Sequence, residues 1–265
     1  MSQQVHFIGG GQMSEAIIRA LINHDVYTPK QLTVTDISDN RNSYLNETYD
    51  MEASQSLNPY LENSDLIIIG VRPQDDWRSL LNEVKEASKA TILSIVAGVT
   101  IGQISDILGE DWPIVRIIPN TLTDTGLGYS GVSLNDAAEL SDVEAFINGF
   151  GKIKVIDESL IDSFTGYGVC GPNWIYYFVE SLADAGVLAG LPRDIAWDVA
   201  LENLVGAVEM LRISGKHPRQ LLDINNSPKG VGINGLHELN QSDFAAGLQK
   251  AVLKAVERTT ELADE

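Results

Sequence analysis

The stretch Val5-His6-Phe7-Ile8-Gly9-Gly10-Gly11-Gln12-Met13-Ser14 decides how this chain is read. Its first four residues are apolar except for His6, as in a strand buried on both faces, and three glycines follow at once. Residues 15–21 then carry a helical rhythm. Gly9, Gly11 and Ser14 occupy the G-x-G-x-x-[G/A] places of a dinucleotide-binding turn. Gly9 permits the tight turn, Gly11 lets a pyrophosphate approach the backbone, and a small residue at 14 lets the helix pack on the strand. Gln12 and Met13 bring the first N–H groups of the helix, whose positive end suits an anion.

Outward from this turn, short apolar runs alternate with amphipathic segments up to about residue 157. Strands are expected over 4–8, 32–35, 66–71, 91–96 and 114–118, and helices over 13–23, 74–87 and 101–108. Alternating elements of this kind build a parallel sheet with right-handed crossovers. Residues 129–134 and 153–156 are expected as added edge strands. Asp36 ends the second strand about 22 residues past Ser14, where an acidic side chain binds a ribose 2′-OH and disfavours a 2′-phosphate. Asp36, Ser38 and Asp39 also suit a helix N-cap, and Ser38 with Arg41 can reach a 2′-phosphate. NADH and NADPH therefore stay open at this point. Val71, Arg72 and Pro73, then Ala97 and Gly98, then Asn120 leave the same edge of the sheet. Ligands of open α/β sheets lie there, so these residues are candidates to contact the nicotinamide half, with Arg72 as a local positive charge.

The 265 residues carry 18 Lys+Arg against 37 Asp+Glu, a formal net charge of −19, which argues against duplex nucleic acid or an anionic membrane as partner. Any anion must be held by a local feature that overrides the global field. Cys170 is the single cysteine, so no disulfide framework is available. His6, His24, His217 and His237 lack ligand spacing, and no metal site is expected. The start has no signal-peptide pattern and no apolar run approaches a membrane span, so a soluble, cytoplasmic protein is expected.

Beyond about residue 160 the strand signal stops. Pro172 opens a helix that Gly190 ends, and Pro192 opens another running toward Gly215. The first is apolar nearly all round, so it lies centrally in a bundle or between subunits, and Trp174, Tyr176 and Tyr177 are expected to pack within it. A third segment starts at Pro218, residues 227–235 form a glycine-rich break, and a last helix begins near Ser242. In that helix Leu248, Val252, Ala255, Thr259 and Leu262 make a narrow seam for another helix.

Taken in order, IGGGQM (8–13), VRPQ (71–74), SIVAGVT (94–100), RIIPNT (116–121), CGPNWIYYFVESLADAGVLAGLPRDIA (170–196) and HPRQLLDINNSPKGVGINGL (217–236) resemble the Δ1-pyrroline-5-carboxylate reductase family over nearly the whole chain. The resemblance implies an α/β fold: an N-terminal Rossmann-type dinucleotide-binding domain, residues 1–160, followed by an all-α dimerisation and substrate domain, residues 161–265. It further implies a homodimer through interlocked C-terminal helices, able to assemble further. The implied reaction is hydride transfer from NADPH or NADH to the C=N carbon of a small imine, 1-pyrroline-5-carboxylate, giving L-proline. The substrate carboxylate would be held by backbone N–H groups of Gly230, Val231 and Gly232 and by the Ser227 hydroxyl, an anion nest on a loop. No titratable catalytic side chain is nominated, because a protonated cyclic imine accepts hydride without a strong acid.

Two departures fall on substrate-facing segments. Gly232 stands where the family loop has a threonine, and residues 168–173 lose two hydroxyls of the family's S-G-S-G-P-A turn while gaining Cys170 and Asn173. Both are added to the candidate substrate-binding residues. These changes leave two alternatives open: a reductase of a different cyclic imine, or a non-catalytic member that keeps the nucleotide fold.

Overall fold

The computed structural model describes residues 3–264. Its first part alternates strands and helices: β1 (Val5–Ile8), α1 (Gln12–Asn23), β2 (Leu32–Thr35), α2 (Asp39–Tyr49), β3 (Glu52–Ser54), α3 (Asn58–Leu61), β4 (Leu66–Ile69), α4 (Trp77–Ala87), β5 (Thr91–Ser94), α5 (Ile101–Leu108) and β6 (Ile114–Ile118). Then come β7 (Gly128–Leu134), α6 (Glu144–Asn148), β8 (Gly151–Val155) and α7 (Ile161–Phe164). The strands form one sheet in the order β3-β2-β1-β4-β5-β6-β7-β8. All neighbours run parallel except β6 and β7. Val5 pairs with Leu32 on one side and Leu66 on the other, so β1 is central and β4 reverses the strand order beside it. That reversal is the switch point at which α/β sheets bind ligands.

Both faces of the central strands are buried, which is why β4 reads as an unbroken apolar run and β1 and β6 as apolar runs interrupted only by His6 and Arg116. Alternate residues feed opposite cores: Phe7 packs with Ile17, Leu21 and Phe146, whereas Ile8 packs with Leu81, Trp77 and Ile104. His6 is fully buried between Thr33 and Thr35, and burial pushes its imidazole down to about 3.

Several expectations need correction. The strands expected over 66–71 and 91–96 end at Ile69 and Ser94: the chain bends at Val71, and the Ser94 hydroxyl accepts the Val96 N–H. The helix expected over 74–87 begins at Trp77, since Asp76 is its N-cap and residues 72–75 form a turn. The short strand β3 was not anticipated. Finally, the glycine-rich break expected over 227–235 ends at Gly230, and Gly232 and Gly235 are helical.

Packing divides the chain into two units, one running to Cys170 and including residues from Ala255 onward, the other Gly171–Lys254. The second is helical: α8 (Gly171–Leu188), α9 (Arg193–Ser214), α10 (Pro218–Asn225), α11 (Val231–Gln241) and the start of α12 (Phe244–Asp264). Its boundaries follow local chemistry. Pro192 is the N-cap of α9 and Gly215 its left-handed C-cap, while the His217 ring caps α10 by accepting the Arg219 N–H. Burial here is slight, centred on Val179, Ala183 and Ala200. Tyr176 is 58% and Tyr177 73% exposed, against the expectation of helical packing. A side chain placed to be covered by a second copy looks the same in sequence as one covered by its own chain. The Leu262 side chain and Glu265 lie outside the described residues. No helix among the described residues is long and apolar enough to cross a membrane.

Candidate functional site

The glycine turn is braced from behind and open in front. Gly9 has a φ of +99°, and a Cβ there would stand 2.8 Å from the backbone of Gly70. Gly70 in turn faces Ser14, whose hydroxyl is buried without a partner. A Cβ on Gly10 would strike Leu45 and Val34. On Gly11 it would meet nothing within 4 Å. Gly11 is also the N-cap of α1 and supplies no side-chain cap, so the first N–H groups of this helix face open space.

A cavity of about 670 Å³ opens beside the turn. It brings together Gly9, Gly11, Asp36, Ser38, Val71 and Arg72 from the candidate residues, with Ile8, Ile37 and Leu80 as apolar wall. Gln12 and Met13 open α1 just outside this lining. Pro73, Ala97, Gly98 and Asn120 are not in its walls either. Asn120 is buried, and its side-chain oxygen accepts the Leu122 N–H at 3.1 Å, holding its own turn. Asp36 Oδ2 accepts the Gly10 N–H and Oδ1 the Ser38 N–H, each at 2.9 Å. The Ser38 hydroxyl is the cap of α2, accepting the Arg41 N–H at 3.3 Å. Arg72 is paired with Asp75 at 2.8 Å, which holds the Asp75 carboxyl below the usual range.

Arg41 does not face the cavity. Its guanidinium donates to the carbonyl oxygens of Gly10 and Gly11 and pairs with Glu15, lying 5.1 Å over the Tyr44 ring. Burial raises the Glu15 carboxyl, but hydrogen bonds from Arg41, Tyr49 and Tyr44 outweigh it and hold the group below its ordinary value. Arg41 and Glu15 thus clamp the glycine turn from its rear, a role that no spacing signal in the sequence announces.

In the second unit Ser227, Gly230, Val231 and Gly232 come together at the start of α11. The Gly230 N–H donates to the Ser227 carbonyl at 2.9 Å, Lys229 takes a φ of +59°, and Gly230 is an N-cap without a side-chain bond. The expected loop nest is therefore a helix N-terminus, and the Gly230 N–H expected to hold a carboxylate is used within the turn, which leaves the N–H groups of Val231 and Gly232. A Cβ on Gly232 would lie 2.6 Å from Asn226 Oδ1. The Asn226 Nδ2 donates to the Leu222 carbonyl at 2.7 Å, which fixes that carboxamide where a side chain at 232 would begin. Asn226 was not among the expected residues.

Cys170 closes the first unit, its N–H bonding the Thr165 carbonyl at the end of a π-turn over 165–169. Asn173 lines a largely apolar cavity of about 650 Å³ with Trp174, Tyr177, Phe178, Phe244 and Leu248. Residues 227–232 are not in its walls.

Comparison with known proteins fits this arrangement. Residues 158–262 match the family described as pyrroline-5-carboxylate reductase dimerisation, and residues 4–98 the family described as NADP oxidoreductase, coenzyme F420-dependent. The chain is 34% identical over 265 residues to pyrroline-5-carboxylate reductase of Synechocystis, covering 99% of each. It is 30% identical over 266 residues to that of Escherichia coli, again covering 99% of each. The crystal structure of Plasmodium falciparum pyrroline carboxylate reductase with NADP bound superposes with a TM-score of 0.87 at 29% identity, over 99% of this chain and 98% of that one. The chain belongs to the pyrroline-5-carboxylate reductase family.

Proposed function

We propose that this protein reduces 1-pyrroline-5-carboxylate to L-proline with a reduced nicotinamide dinucleotide. One observation carries the reading: two helices, α1 and α11, begin at glycine N-caps without a side-chain cap. Each start is a backbone anion site that works in a chain of net charge −19.

The first site fits the dinucleotide. The open face of Gly11 and the N–H groups of Gln12 and Met13 would take the pyrophosphate, and Asp36 with Ser38 the adenosine ribose. The bound nicotinamide would supply hydride. At the second site the N–H groups of Val231 and Gly232 and the Ser227 hydroxyl would anchor the substrate carboxylate. The protonated C=N nitrogen already makes its carbon electrophilic, so the protein's task is to orient the ring and exclude water rather than to donate a proton.

The apolar side chains left exposed along α8 and α9, among them Tyr177, Trp197 and Val205, support a homodimer through the helical domain. In this reading residues 1–160 bind the cofactor and 161–265 form the dimer and hold the substrate, in a reducing, cytoplasmic setting that suits a lone thiol. A different cyclic imine is favoured by one feature, the Asn226 carboxamide beside Gly232. The test is oxidation of NADH and NADPH with pyrroline-5-carboxylate and a panel of cyclic imines lacking the carboxylate. Proline formation faster than turnover of the panel supports the reading; turnover of none, with cofactor still bound, rejects it.

A further inference from the structure

We infer that the cofactor site selects NADH over NADPH and that Asp36 is the residue that decides. The inference rests on the dinucleotide reading of the first cavity, not on the identity of the imine. Asp36 stands in the cavity wall directly after β2, with Gly9 and Gly11 beside it. Its two oxygens are pinned, one by the Gly10 N–H and the other by the Ser38 N–H. A carboxylate held in this way keeps unused lone pairs that accept a ribose 2′-OH. It cannot rotate away from a 2′-phosphate, which carries a charge of about −1.5 to −2 near neutral pH.

The surrounding charges make the same distinction. Asp75 and Asp76 also line this cavity, and its lining contains one cation, Arg72. That guanidinium is engaged by Asp75 through Nε and Nη2, at 3.3 and 2.8 Å. Arg41 follows β2 closely enough in sequence to serve a 2′-phosphate, yet its guanidinium is turned to the Gly10 and Gly11 carbonyls and to Glu15. Freeing it would unbrace the glycine turn. A 2′-phosphate would therefore meet carboxylates with both nearby guanidinium groups already paired, whereas a 2′-OH gains a charge-assisted hydrogen bond.

The test is direct binding, by titrating the full-length protein with NADH and with NADPH in the absence of any imine. NADH is expected to bind at least about 30-fold more tightly, equivalent to about 2 kcal/mol. Asp36→Asn keeps an oxygen for the Gly10 N–H while removing the charge, and should narrow the ratio by about tenfold through tighter NADPH binding. Asp75→Asn, which releases Arg72, should move the ratio in the same direction and serves if Asp36→Asn does not fold. NADPH binding as tight as NADH in the unaltered protein overturns the inference, as does a ratio that neither variant moves. If no cyclic imine is reduced, the proposed reaction fails while the binding ratio still decides this point.

Discussion

The two glycine-opened helices share one device and differ in what holds them. At the start of α1 the turn is fixed from behind: Gly9 and Gly10 leave no room for a side chain against Gly70 and against Leu45 and Val34, and Arg41 ties down two carbonyls. Behind it lies a sheet buried on both faces. At the start of α11 the supports are local, a turn onto Ser227 and the Asn226 carboxamide on Leu222, in a unit with little apolar burial of its own. Burying one large apolar side chain contributes about 1.5–3 kcal/mol, so the exposed faces of α8 and α9 represent stabilisation that a single copy leaves unrealised. The supports of the first helix start thus all come from one compact unit of the chain. The proposed substrate cradle stands on helices whose order we assign to dimer formation.

Mutations that damage one cradle and spare the other put this contrast to work. The largest effect is expected from Val205→Asp on α9: an unpaired charge in an apolar interface costs about 4 kcal/mol. Sedimentation should show monomers and turnover should collapse, while NADH affinity stays unchanged; a dimeric, active variant would erase the contrast. Gly9→Ala should do the reverse. A side chain at a φ of +99° against the Gly70 backbone should cost about 3 kcal/mol in chemical denaturation and abolish cofactor binding with the dimer intact.

Acid should also act first on the cofactor half. His6 is held neutral in the fold, with its imidazole at about 3, whereas the unfolded chain binds a proton below about 6.5. Its contribution is therefore present above pH 6.5 and lost as pH falls toward 3, about 2 kcal/mol of it between pH 7 and pH 4.5. Denaturation across that range should be flatter for His6→Gln, and an unchanged slope would contradict the assignment. The smallest effect belongs to the substrate cradle. Gly232→Thr must displace the Asn226 carboxamide, so Gly232→Thr and Asn226→Ala should be non-additive in stability by about 1 kcal/mol, with the double variant closer to the unaltered protein than the sum of the singles.

Much of the cofactor half was legible because its signals are local and redundant. The β1 run, the glycine places and Ser14 each carry a separate steric reason, and Pro192 and Gly215 mark α9 by chemistry that needs no neighbours. What escaped depends on contacts distant in sequence or on weak local signals. The strand β3 is three residues long and is defined by pairing with β2 rather than by its own pattern. Gly232 and Gly235 look like breakers, yet an N-terminal helical turn tolerates glycine when the preceding turn fixes its entry. Arg41 suited a ligand by position and instead braces the turn, because Glu15 and the two carbonyls lie where its side chain reaches. Asn226 carries no local signal, because its oxygen comes beside Gly232 only through the fold. The exposure of Tyr176 and Tyr177 was hidden for another reason: a helix apolar all round states that it must be covered, not by which chain.

One measurement tests the proposed reaction most directly. NADH carrying deuterium at the transferring C4 position, mixed with pyrroline-5-carboxylate and this protein, should yield L-proline with one deuterium at C5, the former C=N carbon, for each NADH oxidised. NADH oxidised without labelled proline, or proline formed without the label, would contradict the proposed direct hydride transfer from the nicotinamide to the C=N carbon.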